Sequence, residues 1–273
     1  MPSVGLLALV AGTQFCHQRP QWLDRGEESG DVLGRESRKL RAEQLAPRLL
    51  ALAADGLRSG GGFEPGNPGV GSLYRLRDAV ENGWPRPLTI HEHSHAGMAA
   101  AYTAGAARLP FGMLRGYVGT DLPQVNAQIR SVTCPYTSEQ ISTVPALNPD
   151  VTVLHAQLAD RVGNVLIQGI VGAQKEAALA AKRLIVTVER VTDALDAPMN
   201  AIVLPHWIVS ALAVVPAGAY PSYAHGFYAR DNAFYQAWDD IARDRETFRA
   251  WIDRHVLHTR DHAEFMRQLQ DAA

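Results

Sequence analysis

The strongest constraint on the fold is a series of short apolar runs separated by helical stretches. Val151–Gln157 (VTVLHAQ), Asn164–Gln168 (NVLIQ), Leu184–Val191 (LIVTVERV) and Ala201–Leu204 are rich in β-branched residues and read as strands. Ser72–Asn82, Ala96–Arg108 and Ala173–Ala181 carry helical spacing between and before them. Strands that are apolar almost throughout are buried on both faces. The chain is therefore expected to be an α/β protein with a mostly parallel sheet covered by helices. Leu88–His91 is short and strand-like, Met113–Val118 reads as strand or extended loop, and Ile208–Pro216 fits helix or strand equally well. From Arg230 onward the pattern is helical and amphipathic, with Phe234, Trp238, Ile241, Phe248, Trp251 and Ile252 on the apolar side.

The 273 residues divide near position 63. Residues 13–47 are polar and rich in Arg and Glu, with too little apolar content to offset the entropy of ordering. A helical pattern returns over 44–58, and Ser59–Gly71 is a loop by its Gly and Pro content. The expected organisation is a divergent, partly disordered segment over 1–62 followed by an α/β domain over 63–273.

A net charge of −2 argues against a chain whose main work is coating nucleic acid or anionic membrane. No apolar run reaches the ~20 residues that span a bilayer. Val4–Gly12 resembles the apolar core of a signal peptide but lacks a basic leader and a small-residue cleavage site, so a cytoplasmic protein is expected. Two cysteines, Cys16 and Cys134, with no C-x-x-C spacing, form no disulfide framework.

Several motifs invite a chemical reading. His91-Glu92-His93-Ser94-His95 fits H-E-x-x-H, in which two His one helical turn apart bind zinc and Glu serves as base. Pro85 and Pro87 and the strand-like stretch just upstream argue against a helix there, leaving pocket residues at a strand end or structural histidines as the competing readings. Gly60-Gly61-Gly62 with Gly66, Gly69 and Gly71 offers backbone N–H groups to an oxyanion, or is a flexible turn; it fits no P-loop or dinucleotide fingerprint. There is no G-x-S-x-G elbow. The carboxylates Asp121, Glu139 and Asp160 lie near strand ends, where open α/β sheets bind ligands, and where caps and turn residues also sit.

Four stretches, 66–83, 93–122, 133–169 and 224–238, resemble the A subunit of the class I CoA-transferases, the glutaconate and 3-oxoacid group, with H-A-Q-x-A-D-x-x-G-N from His155 to Asn164 the most specific part. The resemblance implies a heteromeric enzyme that moves CoA from an acyl-CoA to a small carboxylic acid, with the CoA thioester as substrate and no permanently bound cofactor or metal. It implies a B subunit that carries the nucleophilic glutamate, on which a glutamyl-CoA thioester forms, so no catalytic residue is expected in this chain. A related group of ring-opening hydrolases places a glutamate just before the Gly-Met of the matching helix; here that position is Ala96.

The resemblance assigns one wall of the substrate pocket to this chain. The expected residues are Arg115, Gly116, Gly119, Thr120 and Asp121 in one loop, Tyr136 and Glu139 in another, and His155 at a strand end with Asn164. Arg115 suits bidentate pairing with a carboxylate, and the glycines with Thr120 suit backbone N–H contact with an acyl oxygen. The alternatives are a zinc hydrolase on His91, Glu92 and His95, and a non-catalytic binding or assembly subunit. Gly61-Gly62-Phe63 is followed almost at once by Gly66-Asn67-Pro68, where the family has further strands, so an open sheet edge is expected.

Overall fold

A computed structural model describes residues 7–9, 74–85 and 91–270. Most of the segment 1–62, including Cys16, the 44–58 helical pattern and the glycine run at 60–62, lies outside the described residues, as do 63–73 and most of the strand-like stretch, at 88–90.

Two sheets organise the chain. The larger is mixed. Its centre is β5 (Val151–Asp160), numbered after β1 (Leu7–Leu9), β2 (Phe111–Leu114), β3 (Arg130–Thr133) and β4 (Gln140–Pro145). Beyond it come β6 (Val165–Ile167), β7 (Leu184–Thr192), β8 (Ile202–Leu204) and β9 (Val209–Val214). The strand order is β8-β6-β5-β7-β9. β5, β7 and β9 are parallel to one another, and β6 and β8 run antiparallel to their neighbours.

The far edge of β5 takes a different strand at each end. β1 pairs in parallel with Val151–Val153, and β6 pairs antiparallel with Leu158 and Ala159. Leu7–Leu9 comes from within the signal-like stretch, and β8 and β9 are the outer strands of the path. β5 also runs three residues beyond the predicted Gln157, which puts His155 in the middle of the strand and not at its end.

The second sheet, β2-β4-β3, is antiparallel and small. Of its strands the hydrophobic pattern touches only the end of β2, at Met113 and Leu114, because they alternate half-exposed positions with only a few buried ones, Gly112, Ser142 and Val144.

Helices cover the sheets and join them. α1 (Tyr74–Glu81) precedes α2 (His95–Ala106), and α3 (Leu122–Val125), α4 (Gln174–Ala180), α5 (Asn232–Arg243), α6 (Arg245–Ile252) and α7 (His262–Gln270) follow. α2 is built largely from Ala and Gly with no β-branched run, which leaves its surface thin while its alanines favour helix. Ser94 caps it: the Oγ accepts the Gly97 N–H at 3.1 Å. It ends where Arg108 turns left-handed at φ 59° and Leu109 N–H reaches back to Ala104 O, with Pro110 beyond.

That thinness is used. A Cβ on Gly105 would stand 1.9 Å from the Leu147 carbonyl oxygen, and one on Gly112 of β2 would stand 2.4 Å from the Ala100 oxygen. Only hydrogen fits at either position, so α2 lies in backbone contact with the small sheet on one side and packs Tyr102 against Ala177 and Ala180 of α4 on the other.

The main core is Leu154, Ala156, Val165, Val186, Val188 and Leu204 against Ala178. A second, aromatic core forms from the amphipathic tail expected after Arg230. Trp238 is fully buried among Phe234, Phe248 and Trp251, and Tyr74 of α1 completes the cluster. Asp78 of α1 locks this layer in place through Arg75 and Arg245.

Candidate functional site

The turn after β2 and the turn before β4 meet at one end of the small sheet. Leu114 pairs with Ser142, so Arg115 leaves β2 beside the residues that enter β4. Arg115 Nε donates to Glu139 Oε1 at 2.7 Å and Nη2 donates to Oε2 at 2.8 Å, a two-point fork. The Arg115 side chain is 75% exposed and that of Glu139 39%, so the fork opens to solvent. The Arg115 hydrogen bond holds the Glu139 carboxyl below its ordinary value, and Glu139 raises Arg115 in return.

The backbone around the fork is fixed. Cys134 N–H donates to Glu139 O at 2.8 Å and Ser138 N–H to Cys134 O at 2.9 Å, which closes the turn, and Ser138 sits at φ 59°, unusual for a residue with a side chain. Tyr136 projects from this turn, 93% exposed. Hydrogen bonds from the Thr137 hydroxyl and from the Tyr136 and Thr137 N–H groups hold the Cys134 thiol below its ordinary value.

The rest of the first loop follows Arg115. A Cβ on Gly116 would meet nothing closer than Leu114 Cδ1 at 3.9 Å, and Gly119 has φ 78° with open space beside it. Thr120 Oγ1 donates to Tyr117 O at 3.0 Å, and Asp121 accepts from Gln124 at 3.0 Å at the start of α3. Tyr117 is an addition to the expected residues. Its hydroxyl accepts the Ser94 N–H at 2.9 Å and seats the loop on the first turn of α2.

The remaining two expected residues stand elsewhere, on the large sheet. His155 hydrogen-bonds Thr187 Oγ1 at 2.9 Å through Nδ1 and Glu189 Oε1 at 2.6 Å through Nε2. Both ring nitrogens are thus occupied. Glu189 also accepts from Ala217 N–H and Tyr228 O–H, each at 2.8 Å, and the Tyr228 oxygen accepts Ala219 N–H at 2.9 Å. Burial pushes the Glu189 carboxyl up, but these hydrogen bonds outweigh it and its pKa is lowered. The loop after β9 is drawn down onto the sheet this way. Ala217 is left-handed at φ 57°, and a Cβ on Gly218 would stand 2.7 Å from the His155 ring. Glu189 is visible in the sequence as an acid in an otherwise apolar run, in register two positions beyond the partner of His155, but the sequence pattern alone assigns it nothing.

Asn164 closes the turn between β5 and β6. Asp160 accepts the N–H groups of Gly163 and Asn164 and the Asn164 amide at 2.7 Å, and Asn164 Oδ1 accepts His206 N–H at 2.9 Å. Both ends of its amide are engaged, and Gly163 supplies φ 103° for the reversal.

The H-E-x-x-H stretch is not helical. His91 to Ser94 precede α2 and His95 is its first residue, so the two outer histidines do not share a helical turn. His93 instead lies 3.2 Å from the Asn126 amide. Among the described residues no group of three or more His, Cys, Asp or Glu converges as metal ligands. Among them also, no helix is long and apolar enough to cross a membrane.

The family described as Coenzyme A transferase matches residues 86–214, which spans α2, most of both sheets and the Arg115–Glu139 fork. Over 206 residues, 76% of this chain and 73% of the relative, the sequence is 63% identical to the A subunit of 3-oxoadipate CoA-transferase from Pseudomonas knackmussii. The chain belongs to the coenzyme A transferase family. A second relative, the A subunit of glutaconate CoA-transferase from Acidaminococcus fermentans, is 30% identical over 224 residues, covering 74% of this chain and 68% of that one. The fold agrees with the crystal structure of the Acidaminococcus fermentans glutaconate CoA-transferase at a TM-score of 0.68 and 23% identity, over 83% of each chain. A decarboxylase, AibA/AibB in a cysteine-to-serine variant, superimposes at a TM-score of 0.61 and 25% identity, over 78% of this chain and 87% of that one. The chain is a CoA-transferase of the A-subunit type, and the family's α/β architecture is the one found here.

Proposed function

We propose that this chain is the A subunit of a two-subunit enzyme that moves CoA from an acyl-CoA to 3-oxoadipate or a similar small acid. The observation that carries the reading is the 63% identity, over 206 residues, to the A subunit of a 3-oxoadipate CoA-transferase. A B subunit supplies the glutamate that attacks the thioester, forms the glutamyl-CoA thioester and passes CoA to the second acid. Covalent catalysis of that kind splits one slow transfer into two faster steps.

This chain forms the acid-binding wall. Arg115 anchors a carboxylate through its planar fork. Gly116, Gly119 and Thr120 leave the backbone open for an acyl oxygen, with Asp121 next in the same loop and Tyr136 and Glu139 in the loop that the Arg115 fork joins to it. His155 and Asn164 act at one remove, by fixing the loops at the rim of the large sheet. Ala96 stands where the ring-opening hydrolases carry a glutamate, and a methyl group cannot attack or take a proton.

The test is to purify the tagged chain from its own cells, identify what comes with it, and assay the complex for CoA transfer to 3-oxoadipate. A stoichiometric partner with transfer that disappears when the partner's glutamate is replaced supports the reading. A stable complex with no transfer to 3-oxoadipate or glutaconate would reduce the chain to an assembly subunit.

A further inference from the structure

Glu139 differs in one respect from two other paired carboxylates of this chain, Asp78 and Glu189. Those two have side chains 8% and 4% exposed, and each is held by several donors from different elements. Glu139 is held by Arg115 through both oxygens and stands open to water. Its carboxylate meets the guanidinium as a free acid would, with two N–H···O bonds from one fork. Its position comes from the backbone: the Cys134–Glu139 turn is closed by two main-chain hydrogen bonds and passes through left-handed Ser138. Neither of the two bonds that close the turn uses the Glu139 side chain.

We propose that Glu139 is an internal stand-in for substrate, occupying the Arg115 fork in the free chain and giving it up to the non-reacting carboxylate of a dicarboxylic acid. The inference rests on the reading of Arg115 as the acid's anchor. The ligand class follows from the chemistry. The carboxylate that accepts CoA becomes a thioester and loses its charge, so the group held throughout on Arg115 is a second carboxylate. Exchange is accessible because an exposed ion pair is held weakly against water, and one carboxylate replaces another at Arg115 with no net change in the number of hydrogen bonds. The released Glu139 returns to solvent, where its charge is hydrated.

The competition has a measurable size. Removing the charge of Glu139 relieves a weak exposed pair, which corresponds to about two- to fivefold tighter binding of the acid. The experiment uses the chain in complex with its co-purifying partner, as wild type, Glu139→Gln, Arg115→Gln and the double variant. Calorimetric titration with adipate reads binding without turnover, and KM for 3-oxoadipate reads it in the transfer reaction. The proposal expects Glu139→Gln to tighten adipate and lower KM by that factor, and to do neither once Arg115 is already Gln. Unchanged or weaker adipate binding in Glu139→Gln overturns it, as does the same gain in the Arg115→Gln background, or no adipate binding to either protein. A complex that binds adipate as expected but transfers no CoA leaves the exchange standing and overturns the assigned reaction.

Discussion

The guanidinium of Arg115 and the carboxylate of Glu139 are 24 positions apart in the chain and are joined by two hydrogen bonds of 2.7 and 2.8 Å. Two loops that look separate in the sequence are thus one structural unit. Replacing Arg115 with Ala is expected to raise KM for the acid acceptor about tenfold or more, because the ligand loses a two-point charged contact. Arg115→Lys keeps the charge without the fork and recovers only part of the loss. Steady-state kinetics with varied acid at saturating acyl-CoA decides it, and unchanged KM in both variants removes Arg115 from the site.

Glu189 ties β5, β7 and the loop after β9 together. Glu189→Ala leaves His155, Ala217 N–H and Tyr228 O–H without their acceptor in a buried setting, at a cost of about 3–5 kcal/mol in unfolding free energy. Urea denaturation measures it. The lowered pKa also fixes the sign of the acid response. The stabilisation is complete above the ordinary Glu range and is lost as pH falls through the depressed folded value. The variant should therefore show a flatter loss of stability with acid than the wild type.

Asp78 gives the same sign with a named window. The Arg245 hydrogen bond, opposed by burial and joined by Asn82 and Arg75, lowers its pKa from 3.8 to about 2. The clamp between α1 and α6 is at full strength above about pH 4 and weakens as pH drops toward about 2. In Asp78→Asn that step in the stability curve should be missing, while the curve above about pH 5 runs parallel to wild type at a lower level. Denaturant midpoints at closely spaced pH values provide the check.

Gly105 is a steric prediction with no charge in it. An added Cβ 1.9 Å from a backbone oxygen cannot be relieved by a rotamer change, so Gly105→Ala must push α2 away from the Leu147 segment. Overpacking of this kind costs about 1–3 kcal/mol. Thermal unfolding should show a lowered midpoint, in contrast to the usual gain when Gly becomes Ala within a helix.

The large sheet is legible in the sequence because its strands are apolar on both faces and its helices carry their own period. β7 and α2 fall within one or two residues of where the pattern puts them, and β5 begins there. The small sheet is not, since Arg130–Thr133 and Gln140–Pro145 bury few side chains and register with β2 only in three dimensions. The same holds for the site. Residue type and family likeness single out Arg115 and Glu139, yet their pairing depends on a strand register that no local signal contains. The run of Val, Leu and Ala breaks at Gln157, which makes His155 look like the end of a strand. The Gln157 side chain is satisfied inside the sheet by Gln168, and the strand continues. Glu189 escapes the sequence reading for a related reason: an acid in a buried strand acquires meaning only from partners that arrive from other parts of the chain.

The thinness of α2 has a mechanical consequence. On its small-sheet side the helix meets its neighbours backbone against backbone, at Gly105 against Leu147 and at Ala100 against Gly112, while Tyr102 and Met98 pack on the α4 side. The small-sheet contact has little side-chain cushion to compress and few rotamers to change, so a displacement of α2 passes to the small sheet with little loss. The helix and the strand that carries the Arg115 turn are thereby joined like parts of one casting.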